Sequence, residues 1–369
     1  MEPFAHTLAG ACLSEAGLNR RSPLAASTLI VAANLPDLDG ACYVHSADLA
    51  FAWRRGWTHG VLAMCVLPLL LAGAMLVIDR MIRRRRRPES ERTRFLPLLA
   101  LSVLGVLSHV FLDWLNNYGV RLLTPFSDRW FYGDALFIVD PWLWLLLGGA
   151  VMFAWTVRTR AIVAWILLAT GTTALMMVSP LVSNAARVVW LGGAAGWIVA
   201  RLLVPAARRQ GVAVAAIIGA CLYVGVMIAG SRLAERQVRT LAQTRGWRIE
   251  RVAAMPVPAA PTRRLVIAVA ADRYLFVPVD WTRGPNANVQ PATEPRGPLD
   301  PIVVAALGSP SAQGVRRWLR FPSYEVHQMR DGHYRVTIRD ARFAVGNLPG
   351  FGVVAIVDVD RSVHPVPTR

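Results

Sequence analysis

Residues 95–119 read FLPLLALSVLGVLSHVFLDWLNNYG, and this stretch decides the fold. Its first part, Phe95–Leu112, is an apolar run of about the length an α-helix needs to cross ~30 Å of hydrocarbon. At the end of the run stand His109 and Asp113, four residues apart. On a helix that spacing puts both side chains on one face, one turn apart. An imidazole and a carboxylate so placed can grip one cation such as Zn²⁺ or Mn²⁺. Ionisable residues at membrane depth carry function by default, so the pair weighs more than it would in a soluble helix.

Around this stretch the chain has the character of a membrane protein. Of its 369 residues 54% are hydrophobic, and the mean hydropathy is +0.40. Further spans are expected at Gly60–Ile78, Leu136–Val157, Ala161–Val178, Val188–Val204 and Val212–Gly230, which makes about six in all. Two shorter apolar stretches, Thr7–Leu18 and Pro23–Ala33, cannot span alone and suit a pair of short helices or an interfacial layer.

The net charge of +17 would suggest nucleic acid in a soluble protein. Here the arginines fall between the apolar runs, so they argue topology instead, and no nucleic-acid partner is expected. Residues 79–94 alone hold eight arginines. Alternate loops carry thirteen on one side against five on the other, which places the first side in the cytoplasm. His6, Asp37, His59, His109 and Asp113 then all lie at the outer level. His59 precedes a span, Asp37 and Asp39 follow the helix-ending Pro36, and His6 begins the first short helix.

The other readings of these residues are structural. His109 and Asp113 also suit a polar pair fixing two helices, His59 an interfacial helix start, Asp37 a turn carboxylate, Asp39 a cap and His6 an N-terminal cap. Asp140, before Pro141 inside an apolar run, suits a cap at a helix break and, with Asp134, an auxiliary place at the site. His45 reads as a solvated loop residue. His327, His333 and His364 read as surface residues of the C-terminal region.

That region differs in kind. From Ser231 onward, Pro/Gly/Asn-rich joints (Met255–Pro261, Gly284–Pro298) separate β-type runs at Arg264–Ala270, Tyr274–Val279, Tyr334–Arg339 and Val353–Val359. The fold class expected is thus an all-α polytopic membrane domain over residues 1–230, followed by a small soluble β-rich (α+β) domain over 231–369. All 40 basic residues are arginine, which excludes a P-loop or Schiff-base lysine. There is no G-x-S-x-G, H-E-x-x-H or C-x-x-C. Two of the four cysteines, Cys65 and Cys221, lie in apolar runs, so there is no disulfide framework, though a Cys12–Cys42 pair stays open. The N-terminus lacks the basic region of a cleaved signal peptide, so His6 is expected in the mature chain.

Four blocks in this order carry a resemblance: His6-Thr7-Leu8-Ala9-Gly10, Leu35-Pro36-Asp37-Leu38-Asp39, Arg54-Arg55-Gly56-Trp57-Thr58-His59-Gly60 and His109 through Gly119. Over roughly residues 5–160 the chain resembles the YdjM-like family of inner-membrane proteins described as metal-dependent hydrolases. More distantly it is similar to zinc-dependent phospholipase C and P1-type nucleases. That likeness implies one metal at His6 and Asp113 and a second at Asp37, His59 and His109, with Asp113 bridging. No histidine lies between His109 and His327, so the third metal of those enzymes lacks its usual ligands here.

The function expected is hydrolysis by one or two divalent ions, zinc first, with Asp39 as general base if burial raises its pKa, or else as a partner supporting a ligand from behind. The expected location is the bacterial inner membrane, multi-pass, with the C-terminal domain outside the cytoplasm. Membrane lipids are the expected surroundings, and a lipid, another amphiphile or a phosphoester the expected substrate. The competing reading is a non-catalytic metal-binding membrane protein or transporter, which should place polar residues deep in several spans; the later spans hold almost none.

Overall fold

The computed structural model describes residues 1–44, 47–283, 291–343, 352–358 and 363–364. His45 and residues 284–290, part of the joint Gly284–Pro298, lie outside the described residues.

The N-terminal pair of short helices is α1 (Pro3–Glu15) and α2 (Ala25–Ala32). Glu2 starts α1 by accepting a hydrogen bond from the Ala5 N–H at 3.0 Å, with Pro3 in the first turn. A 3₁₀ stretch, Leu35–Val44, then carries Asp37 and Asp39, and α3 (Ala47–Trp53) follows. Next come α4 (Val61–Ile78) and α5 (Phe95–Trp114), packed antiparallel. Close approach of α1, α2 and α5 needs glycine at two places. A Cβ on Gly105 would lie 2.4 Å from the Ala32 Cβ, and one on Gly10 2.7 Å from the Leu29 carbonyl oxygen.

The remaining membrane helices are α6 (Pro141–Trp155), α7 (Thr159–Val178), α8 (Asn184–Leu203) and α9 (Arg209–Thr244). Among the described residues, five helices are long and apolar enough to cross a membrane: α4, α5, α7, α8 and α9. The span expected at Leu136–Val157 is shorter, because Asp140 accepts hydrogen bonds from the Trp142 and Leu143 N–H groups and so caps a helix that begins at Pro141. Helix α9 continues through the expected domain boundary at residue 230 to Thr244. Cys12 and Cys42 are free thiols.

The C-terminal region folds as two four-stranded antiparallel sheets, each in simple sequence order. The first holds β1 (Arg251–Pro256), β2 (Arg263–Val269), β3 (Arg273–Asp280) and β4 (Ala292–Pro295). The second holds β5 (Pro322–Gln328), β6 (Tyr334–Asp340), β7 (Gly352–Val357) and β8 (Val363–His364). Between the sheets in sequence lie α10 (Pro301–Gly308) and α11 (Gln313–Trp318). Ala234 and Val238 of α9 pack into the first sheet against Val252, Val266 and Val277. The second sheet shares a core with Phe51 of α3 and Tyr118, which follows α5. The domain is thereby seated on the loop that leads away from Asp113.

Candidate metal centre

The antiparallel pairing of α4 and α5 brings the start of one helix beside the end of the other. His59, just before α4, therefore meets His109 and Asp113 in the last turns of α5. Asp37 reaches the same place from the 3₁₀ stretch behind α2. One potential ligand atom from each of these four residues lies within 4.8 Å of all the others, a grouping able to hold a metal ion. His59 Nε2 is 3.1 Å from His109 Nε2 and 3.1 Å from Asp113 Oδ2. His109 Nε2 is 3.6 Å from Asp113 Oδ2 and 3.9 Å from Asp37 Oδ1. His59, His109 and Asp113 are fully buried, and Asp37 keeps 11% exposure, so the centre opens on the Asp37 side.

The other nitrogens of the two rings decide what the centre is for. His109 Nδ1 lies 2.7 Å from the Ala33 carbonyl oxygen, which only accepts, so Nδ1 carries the proton. His59 Nδ1 lies 2.9 Å from Thr58 Oγ1 and 3.4 Å from Asp39 Oδ2, while the Thr58 hydroxyl donates to Asp39 at 2.7 Å. That arrangement assigns the His59 proton to Nδ1 as well. Both Nε2 atoms are then lone pairs, facing each other and a carboxylate oxygen. Such a set repels itself unless a cation lies among them. Two imidazole nitrogens on one tetrahedral zinc at 2.0–2.1 Å stand about 3.3 Å apart, close to the separation seen. The donors fit a divalent ion of the zinc class.

His6 comes to the same centre from α1, buried, with its ring stacked on His109 at 3.8 Å between centroids. Its Nε2 is 3.4 Å from Asp113 Oδ1, and neither of its ring nitrogens has a hydrogen-bond partner. Asp113 thus turns Oδ2 toward His59 and His109 and Oδ1 toward His6. The Oδ1 side also receives the Met1 amino group and the Arg55 guanidinium, the latter at 2.9 Å. Burial lowers the His6 and His59 pKa values, with His109 adding to the first and Asp39 opposing the second. Both imidazoles are therefore held in the neutral form that metal ligation requires.

Asp39 departs from the raised pKa that a general base needs. Burial raises it, but hydrogen bonds from His59 and Thr58 and the nearby Arg54 charge outweigh that and hold the carboxylate below its usual range. It accepts the Arg55 N–H at 2.8 Å and braces the far side of His59. The two auxiliary aspartates sit elsewhere. Asp140 caps α6 and accepts the Tyr223 hydroxyl at 2.8 Å. Asp134 makes a two-pronged ion pair with Arg320, 2.8 Å in each arm.

Sequence reasoning missed Arg55. It is 3% exposed, donates to Asn116 Oδ1 at 2.9 Å as well as to Asp113, and lies over the Tyr118 ring at 4.7 Å. The available signal was an Arg-Arg pair beside His59, on the side of the membrane where arginine is otherwise scarce.

Comparison with known proteins agrees with this centre's place in the chain. The model of the YdjM inner membrane protein family matches residues 1–182. Over that stretch the chain is similar to the YdjM inner membrane protein family. The YdjM portion holds His6, Asp37, Asp39, His59, His109 and Asp113, and it ends just after α7. A curated relative, the uncharacterized protein YfhP of Bacillus subtilis (strain 168), is 24% identical over 110 residues. That match covers 30% of this chain and 30% of the relative. No solved structure matches. With its family and its five apolar helices, the chain is a multi-pass inner membrane protein.

Proposed function

We propose that this protein is a metal-dependent hydrolase whose centre lies at one face of the membrane. The observation that carries the reading is the convergence of the His59 and His109 Nε2 lone pairs with Asp113 Oδ2 and Asp37, in a buried site with one polar opening. Asp37, His59, His109 and Asp113 would hold one ion; the fixed Arg55 charge on Asp113 Oδ1 argues against a second strongly held ion beside His6. A bound divalent ion of this class lowers the pKa of water toward ~7 and polarises a carbonyl or phosphoryl oxygen.

The chain's own groups set the rest. Ala33 and Asp39 fix the tautomers of His109 and His59 from behind, and such partners typically carry 10–100-fold in metal affinity. Arg55 neutralises the outer oxygen of Asp113, and Asp37 marks the way in. With the arginine-rich loops in the cytoplasm, the centre and the C-terminal domain face outward, which favours a lipid or amphiphilic substrate from the outer leaflet.

Purified protein analysed for metal, then assayed on lipid-ester and phosphodiester panels beside His109→Ala, tests the reading. Bound zinc or manganese at about one ion per chain, with turnover lost in the variant, is the expected result. Metal bound without turnover on any panel would favour the non-catalytic reading.

A further inference from the structure

Outside the metal centre, the membrane helices enclose an apolar groove of about 500 Å³ between α6, α7 and α8. That is within the usual size of a small-molecule site, ~300–1,000 Å³. Its walls run from Trp144 along α6 to Thr156 just past its end, from Ile162 to Thr173 on α7, and from Trp190 to Leu202 on α8. At 1.5 Å per residue the groove is about 18 Å long and lies along the helices. One leaflet of a ~30 Å hydrocarbon core is about 15 Å deep, so the groove has the length of one acyl chain.

Its charge is one-sided. Arg201 is the single ionisable residue among those lining it, and it stands at the end reached by Thr156 and Leu202. The guanidinium is pinned there: Nε donates to Thr156 Oγ1 at 2.9 Å and Nη2 to the Thr156 carbonyl at 3.0 Å. Nη1 is uncommitted among the described residues. Arg158 and Arg160 follow Thr156 in the same arginine-rich loop. The opposite end offers an anion nothing, since the Trp144 indole N–H is already donated to Glu2 at 2.6 Å. Phe4 closes that end, and His6, two positions along α1 and so on the opposite helix face, belongs to the metal centre. The groove is a separate site.

We infer that this groove holds one acyl chain of an acidic membrane phospholipid, drawn from the arginine-rich leaflet, with its phosphate at Arg201. The occupant follows from the groove's length, its apolar wall and the fixed cation at one mouth. An arginine merely reaching for the membrane surface would favour acidic lipids as well, but filling the groove would then leave the quenching unchanged, which would also overturn the inference.

Four tryptophans, Trp144, Trp165, Trp190 and Trp197, line the groove and report on it directly. The full-length protein is placed in phosphatidylcholine vesicles doped with phosphatidylglycerol brominated on its chains, with phosphatidylcholine brominated likewise, or with a brominated fatty acid. One arginine at a membrane surface gives about a fivefold preference for an acidic lipid, so brominated phosphatidylglycerol should quench at about a fifth of the mole fraction needed with phosphatidylcholine. Arg201→Gln should remove that difference. Ala194→Phe and Ala169→Phe, which fill the groove from opposite walls, should lower quenching by both lipids; unchanged bound metal certifies their fold. Equal quenching by the two lipids, or a preference surviving Arg201→Gln, overturns the inference. Stronger quenching by the fatty acid than by phosphatidylglycerol would also overturn it and give the groove to a free acid.

Discussion

At the scale of single residues, the centre divides into ligands that the sequence displays and a partner that it hides. His109 and Asp113 were legible because i, i+4 spacing at a span's end has few other uses, and His59 and Asp37 because they share that level. Arg55 was hidden because an arginine between spans counts as a topological charge. The fold instead holds its backbone at φ 53°, in the left-handed region, and buries its guanidinium against Asp113. Arg55→Ala strands a buried carboxylate. It should destabilise the metal-free protein by about 3–5 kcal/mol in denaturant unfolding; a loss below ~1 kcal/mol would show Asp113 to be neutralised in another way. Asp113→Ala should release most bound metal, and His6→Ala much less, when ions per chain are counted. Full metal in Asp113→Ala would remove that residue from the ligand set. The neutral imidazoles also set a pH dependence. His59 has a folded pKa below the ordinary 6.5, so on acidification the unfolded chain takes up its proton first. Metal-free protein should therefore be at full stability above about pH 6.5 and lose stability as pH falls through the folded pKa. His59→Gln should flatten that slope, and an unchanged slope would assign it to other groups.

At the scale of elements, apolar runs gave the helices, while their ends depended on groups that hydropathy does not weigh. Asp140 and Pro141 cut the expected third span short. Helix α9 runs past residue 230 because Ala234, Val238 and Ala242 continue a buried stripe at i, i+4, a period legible in the sequence but masked by the arginines and glutamate around it. Strands β2, β3, β6 and β7 stood out by their β-branched and aromatic runs. β1 and β5 did not, since β1 is alanine-rich and ends at proline, and β5 opens at proline and is half polar. What holds the candidate ligands in register is the contact of α2 with α5, where the Ala33 carbonyl, just past the end of α2, accepts a hydrogen bond from His109 Nδ1–H. Gly105 permits that contact. Gly105→Ala places a methyl 2.4 Å from the Ala32 Cβ and should cost about 1–3 kcal/mol, with weaker metal binding. Gly73→Ala, where nothing lies within 4 Å, should be neutral or slightly stabilising, by up to ~1 kcal/mol from helix propensity. Equal melting temperatures for the two variants would show that the helices can part without disturbing the centre.

At the scale of the whole molecule, the question is how the C-terminal domain bears on the centre. The proposed orientation rests on charge asymmetry, and two of the five arginines counted on its outer side, Arg55 and Arg121, are buried in the protein. A reporter active only in the cytoplasm, fused after Arg369, should be silent, and a strong signal would invert the topology. By composition alone, the Pro/Gly/Asn-rich joint Gly284–Pro298 suits a lid over the centre. Of that segment, residues 284–290 lie outside the described residues and Ala292–Pro295 form β4. The structure offers a different route, through the loop that leaves Asp113. Arg342, buried in the C-terminal domain, donates to the Asn117 carbonyl at 2.6 Å, and Arg320 grips Asp134 at the loop's far end. Asn116, next to Asn117, holds Arg55, which holds Asp113. A clamp of this kind acts by fixing the ligand shell rather than by covering it, and the two modes separate in experiment. Arg320→Ala cuts the far grip and leaves every ligand in place. If the domain clamps the loop, the variant should bind metal more weakly, in the 10–100-fold range of lost supporting partners, whatever the substrate. If the domain only covers the site, metal affinity should stay the same while substrate preference broadens. Metal titration of Arg320→Ala beside the native protein decides between them, and unchanged affinity together with unchanged kinetics would leave the domain without influence on the centre.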